Sequence, residues 1–134
     1  MKAITISQPY ASLIASGEKW IENRIWNTYY EGPIAIHAGK GTQYMTRKEL
    51  ANVPHGCIVA TAFLEECVKL QTVIDAMNVA GIGDLPRANV SRTWRELREH
   101  PHAEGPWLWV LRDIVALPEP IPFNGAQGLW EWNK

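Results

Sequence analysis

Two long β-rich runs constrain this chain more than anything else in it. Cys57 to Val68 carries Ile58, Val59, Thr61 and Phe63, and Trp107 to Ala116 is strongly apolar. Around them the pattern alternates short strands with short helices, without a repeat, a linker or a low-complexity tract. The helical stretches are too few and too short to cover both faces of a parallel doubly wound sheet. The expected architecture is α+β: a small mixed β-barrel or curled sheet of about five or six strands with about three or four short helices.

At 134 residues and 15.1 kDa the chain is expected to be one domain spanning 1–134. Hydrophobic residues at 46% against 20% charged exclude wholesale disorder. Cys57 and Cys67 stand ten positions apart without CxxC spacing, which excludes a zinc knuckle and a thioredoxin-type redox motif. His37, His55, His100 and His102 show no metal-site spacing, so neither a metal nor a cofactor is expected. A net charge of −1 and a pI near 6.4 exclude a histone-like polycation, so any nucleic-acid contact must come from a local patch. The apolar run Ala11 to Ala15 is far too short to span a bilayer and no secretory signal is visible, so a cytoplasmic protein without a membrane partner is expected.

Along the chain, Met1 to Ile6 reads as a strand, and Ser7-Gln8-Pro9 as a helix start that Gly17 ends. Trp20 to Trp26 alternates as a strand, with Ile21 and Ile25 on one face and Trp20, Glu22, Arg24 and Trp26 on the other. Pro33 to Ala38 is a further strand, with Ile34 and Ile36 toward the core and His37 away from it on the Ala35 face. Thr46 to Glu49 has capping-box spacing for a short helix through Leu50. Helices are predicted over Thr72 to Val79, before a Gly81–Pro86 loop, and along the Val90, Trp94, Leu97 stripe. The prolines of Leu117 to Pro122 should leave regular pairing, and Gly125 to Trp132 closes the chain as a last strand.

Seven tryptophans against two phenylalanines supply flat faces and N–H donors, useful for gripping a planar ligand and equally for packing a core. The segment Gly17-Glu18-Lys19-Trp20-Ile21-Glu22-Asn23-Arg24 displays Glu22 and Arg24 on a strand face flanked by two indoles. On periodicity alone this is either the lining of a cleft or a solvated ion pair.

Gly17-x-Lys19-x-x-Glu22-x-Arg24 resembles the signature of the ASCH domain, of the PUA-like superfamily. Ser7-Gln8-Pro9-Tyr10-Ala11, the strand Gly32 to Lys40, and Gly128-Leu129-Trp130-Glu131-Trp132 resemble further parts of that family, with Gln71 to Glu104 the least characteristic stretch. The resemblance implies a PUA-like β-barrel with a cleft between barrel and first helix, and a nucleic-acid role, RNA above all. By motif position Lys19, Glu22 and Arg24 would line that cleft, with Gln8, Tyr10, Trp26, His37 and Lys40 as neighbours. Lys19, Arg24 and Lys40 would then engage phosphate, Trp26 and Tyr10 would offer stacking faces, and Glu22 and Gln8 would meet base edges or orient Arg24.

The alternative implied is a small hydrolase, a ribonuclease or a nucleoside amidohydrolase, with Lys19, Glu22 and His37 as catalytic groups and Tyr10 in support. The acetylcytidine amidohydrolases of the family carry a threonine three residues after the lysine, where this chain has Glu22, and Thr28 is off the spacing. A carboxylate near Lys19 also favours the ammonium over the free amine that a base requires. An imidazole such as His37 suits proton transfer near neutral pH, but a lone strand histidine equally suits a structural hydrogen bond.

Arg87, Arg92, Arg95 and Arg98 form a local basic cluster, but Glu96 and Glu99 follow Arg92 and Arg95 by four residues, the spacing of a solvated helix face. Lys40, Arg47 and Lys48 are the better phosphate candidates because they follow the cleft strand. No Walker-type glycine loop and no Gly-x-Ser-x-Gly elbow is present.

Overall fold

In the computed structural model, which describes residues 1–133, six strands and four short helices follow one another. They are β1 (Lys2–Ile6), α1 (Tyr10–Ala15), β2 (Ile21–Arg24), β3 (Gly32–Ala38), α2 (Arg47–Leu50), β4 (Cys57–Lys69), α3 (Leu70–Met77), α4 (Trp94–Glu99), β5 (Trp107–Pro122) and β6 (Leu129–Glu131). The strands form one sheet in the order β2-β5-β4-β3-β1-β6. This is the α+β class and element count that the sequence predicts; Lys134, last in the expected 1–134 domain, lies outside the described residues. The chain divides into two compact units, one of Met1–Trp20, Gly32–Phe63 and Asp113 onward, the other of Ile21–Glu31 and Leu64–Arg112, and β4 and β5 each run from one into the other.

In the first unit β1 pairs parallel with β3, from Lys2 opposite Ile34 to Ile6 opposite Ala38, and antiparallel with β6. Every residue of β3 except Pro33 is buried, as in a strand covered on both faces. This corrects the expected placement of His37: the Ala35 face is itself buried, with Ala35 at 0% and His37 at 3% exposure. A relay of hydrogen bonds makes the buried ring tolerable. Trp130 Nε1–H donates to Thr5 Oγ1 (3.2 Å), Thr5 Oγ1 lies 3.2 Å from His37 Nδ1, and His37 Nε2 donates to the Phe123 carbonyl (2.7 Å). A carbonyl accepts only, so Nε2 carries a proton, and a neutral ring then takes the Thr5 hydroxyl proton at Nδ1. Gly125 closes over this relay, since a Cβ there would stand 2.5 Å from Thr5 Oγ1 and 2.7 Å from His37 Nδ1.

Helix α1 begins after Pro9 and stops where Gly17 takes φ +87°. Gly17 N–H donates to Ile14 O and Lys19 N–H to Leu13 O, which folds Lys19 back against the helix. Between β3 and β4 the chain makes an excursion whose ends are tied to the sheet: Gly39 N–H donates to Ile6 O, and Gly56 N–H to Ala38 O. Within it, Thr46 and Glu49 form the predicted capping box and Leu50 is buried. The proline stretch departs from expectation, because β5 continues through Pro122. Pro118, Pro120 and Pro122 alternate, so their missing N–H groups all face one side and the other side stays free to pair; β2 covers β5 only over Trp107–Val110.

In the second unit β2 is shorter than the predicted Trp20–Trp26 strand. Arg24 already faces Trp107, the first residue of β5, so no partner remains beyond it, and Ile25 is 85% exposed while Ile21 is fully buried. Asn23 ties down the turn that precedes β5: Nδ2 donates to His102 O (2.8 Å), and Oδ1 accepts from Glu104 N–H (3.0 Å) and Gly105 N–H (2.8 Å). Helix α3 starts two residues before the predicted Thr72, and α4 starts at Trp94, not Val90, because Thr93 and Glu96 form a second capping box. Consecutive carboxylates on β4 hold the intervening segment. Glu65 accepts from Ser91 N–H and Oγ and pairs with Arg112, and Glu66 takes a bidentate bond from Arg87.

Two measurements check these anchors. Gly125→Ala should lower stability by about 1–3 kcal/mol through collision with Thr5 and His37, read as a lower denaturant midpoint. Asn23→Ala removes three hydrogen bonds at once and should cost about 1–3 kcal/mol by the same measurement, with Asn23→Asp recovering part of it by keeping the oxygen acceptor.

Candidate nucleic-acid interface

Lys19 is 2% exposed, yet its chain is turned so that Nζ lies 5.4 Å from the Tyr10 ring centroid, within cation–π range. Tyr44, half exposed and carried by the β3–β4 excursion, meets the same Tyr10 ring edge-on, with centroids 4.9 Å apart at 77°. An ammonium and two phenols thus converge in the first unit from residues far apart in sequence. Gln8 is fully buried beside them in sequence but is occupied: Nε2 donates to Ser12 Oγ (2.8 Å) and Pro54 O (2.7 Å), and Oε1 accepts from Ser12 N–H (2.9 Å). Both amide hydrogens are engaged, one by α1 and one by the excursion, so donation to a base edge would require one of these bonds to break.

Lys40 is exposed at the start of the excursion. With Gly41, Thr42, Arg47, Leu50, Ala51 and His55 it lines a hollow of about 470 Å³. His37 stands elsewhere in the unit, within its relay and edge-on to Trp130.

In the second unit Glu22 and Arg24 form an ion pair across β2, Arg24 Nη2 lying 3.0 Å from Glu22 Oε2 with both side chains partly buried. Trp26 follows them and packs edge-on against the buried Trp109, centroids 4.7 Å apart at 86°, while its carbonyl accepts from Trp109 Nε1. Two of the indoles, Trp109 and Trp132, belong to the core.

Three arginines of the basic cluster, Arg87, Arg92 and Arg95, are compensated by carboxylates. Arg92 pairs with Glu96, Arg95 with Asp84 and Glu99, and Arg87 with Glu66 while covering the Trp94 ring at 4.0 Å. Burial pushes both thiols up from their ordinary value, Cys67 further raised by the Glu66 carboxylate, so neither is a ready thiolate. Among the described residues no group of three or more His, Cys, Asp or Glu side chains could hold a metal ion, and no helix is long and apolar enough to cross a membrane.

Tyr44, Thr42 and His55 escape sequence reasoning. They lie in an aperiodic stretch, and only the distance from Lys40 to Arg47 and the flanking glycines mark it as a loop that could fold on itself.

The family model of the ASCH domain matches residues 4–111. Solved structures similar to this fold include the crystal structure of ASCH from Zymomonas mobilis, at 19% identity and a TM-score of 0.57, covering 99% of this chain and 87% of that one. Crystal structures of two mutant forms of that protein match at 18% and 19% identity with TM-scores of 0.57 and 0.54, covering 99% of this chain and 90% and 88% of theirs. No curated protein matches the chain. Matched by that model over most of its length, and folded as those structures are, the chain belongs to the ASCH domain family, whose PUA-like fold is generally linked to RNA binding.

Proposed function

We propose that this protein binds RNA, or a nucleotide unit of it, and that Lys19 and Tyr10 are among the contacting groups. The observation that carries the reading is the Lys19–Tyr10–Tyr44 group: a cation held at an aromatic ring, with a second, half-exposed ring from another segment beside it. An anion and a planar base call for these two chemistries together, and a stacked base is worth about 1–3 kcal/mol. The second unit offers the same kinds of group in Arg24 and Trp26, with Glu22 placed to orient the guanidinium or to accept from a base amino group. Lys40 supplies a further exposed cation.

Binding without turnover is favoured over the hydrolytic alternative. Of the three catalytic candidates, His37 has both ring nitrogens engaged inside the first unit, and Glu22 is committed to Arg24. Proton transfer by either would begin with breaking a bond that the fold uses.

Fluorescence anisotropy with a labelled single-stranded RNA tests the reading. Lys19→Gln should weaken binding about tenfold or more, the size of a charge-assisted hydrogen bond lost. The exposed Tyr44→Ala should also weaken it with an unchanged circular dichroism spectrum, which separates a lost contact from a lost fold. Absence of RNA binding by the unaltered protein at low salt overturns the proposal. RNA turnover that disappears in both Lys19→Gln and Glu22→Gln would replace it with a hydrolase.

A further inference from the structure

We infer that the hollow in the β3–β4 excursion is a phosphoryl-binding site, in which Lys40 and Arg47 supply the charge and Thr42 supplies a neutral donor. Its occupant is a phosphate group of a nucleotide, so the identity of the ligand rests on the RNA-binding reading above.

The first support is shape. At about 470 Å³ the hollow falls in the range of small-ligand pockets, and Leu50 and Ala51 give it an apolar side opposite in character to its cations. The second is charge left uncompensated. Lys2, Arg24, Arg87, Arg92, Arg95 and Arg112 each have a carboxylate at ion-pair distance, whereas among the described residues none stands within that distance of Lys40, Arg47, Lys48, Lys69 or Arg98, and of these Lys40 and Arg47 line the hollow. Two cations on the wall of one concavity repel each other, and an anion between them removes that cost.

The nearest acidic residue on the same helix is diverted. The Glu49 carboxylate accepts from the Thr46 backbone N–H, a bond that holds it below the usual carboxylate range and turns it toward the helix start. Lys40 is aimed by packing. Gly56, at φ +64°, lies so close to the Lys40 stem that a Cβ there would collide with Lys40 Cε. His55 Nδ1 donates to the Val53 carbonyl (2.9 Å), which orients the ring and, in the neutral form, leaves Nε2 as an acceptor for a protonated phosphoryl oxygen.

The test uses the full chain with Lys40→Ala and Arg47→Ala, singly and together; both residues are exposed and neither carries a buried contact of the core. RNA affinity is measured against salt. Each phosphate contact on a single strand contributes about 0.7 to the slope of log K against log salt, so the double variant should lose roughly 1.4 from it. Lys19→Gln should leave the contribution of Lys40 and Arg47 in place. A preference for 5′-phosphorylated over 5′-hydroxyl RNA that vanishes in the double variant identifies a terminal phosphate as the occupant; equal binding of the two, with the slope still reduced, identifies an internal phosphodiester. Unchanged affinity and slope in the double variant overturn the inference while leaving the RNA-binding reading intact. Should the unaltered protein bind no RNA, inorganic phosphate decides: movement of the Gly41 and Thr42 amide resonances in wild type but not in the double variant sustains the site, and no movement overturns it.

Discussion

The parallel pairing of β1 with β3 is the constraint on which the first unit depends. Parallel strands end at the same side of a sheet, and here Ile6 stands opposite Ala38. The segments that leave the two strands therefore emerge at one end: Gln8, Tyr10 and the α1 turn after β1, Lys40 and the excursion after β3. That is how residues some thirty positions apart come to share a neighbourhood, and the Gly39–Ile6, Gln8–Pro54 and Tyr10–Tyr44 contacts then fasten the two segments together. Antiparallel pairing of the same strands would have sent them to opposite ends.

The second unit uses polar groups differently. Its arginines and carboxylates are turned on one another, with Glu65 and Glu66 each satisfied by groups from the segment after α3 or from β5. A carboxylate as buried as Glu65 is tolerable only when charge-assisted donors surround it, and Ser91 and Arg112 do so. The near-neutral total charge thus conceals local differences: most arginines of the second unit are paired with carboxylates, whereas Lys40 and Arg47 in the excursion of the first are not.

Much of this architecture is legible in the chain. The capping box at Thr46, the stop at Gly17, the core face of Ile34 and Ile36, and the solvated pairing of Arg92 and Arg95 all obey local rules, and the structure bears them out. Lys19, Glu22 and Arg24 are marked in the sequence by motif position alone. Local rules do not supply tertiary commitment. His37 alternates with Ile36 along β3, but a strand with neighbours on both sides and cover on both faces has no outward side, so alternation stops being informative. Gln8 looks available because nothing nearby in sequence reveals that Pro54, far along the chain, will use its amide. Prolines that read as breakers are compatible with β5 because they fall on alternate residues. Tyr44 and His55 have no periodicity to betray them, since their placement depends on how a closed excursion folds over its own ends.

The fastening of that excursion has a consequence for where the chain tolerates added length. Gly39 and Gly56 are stitched to the sheet, Pro54 to Gln8, Leu50 to the interior, and Tyr44 to Tyr10. The short span from Gly41 to Gln43 lies between these fastenings, and a side chain added at Gly41 would meet nothing within 4 Å. A residue inserted in this span therefore has room to bulge outward without disturbing the register on either side.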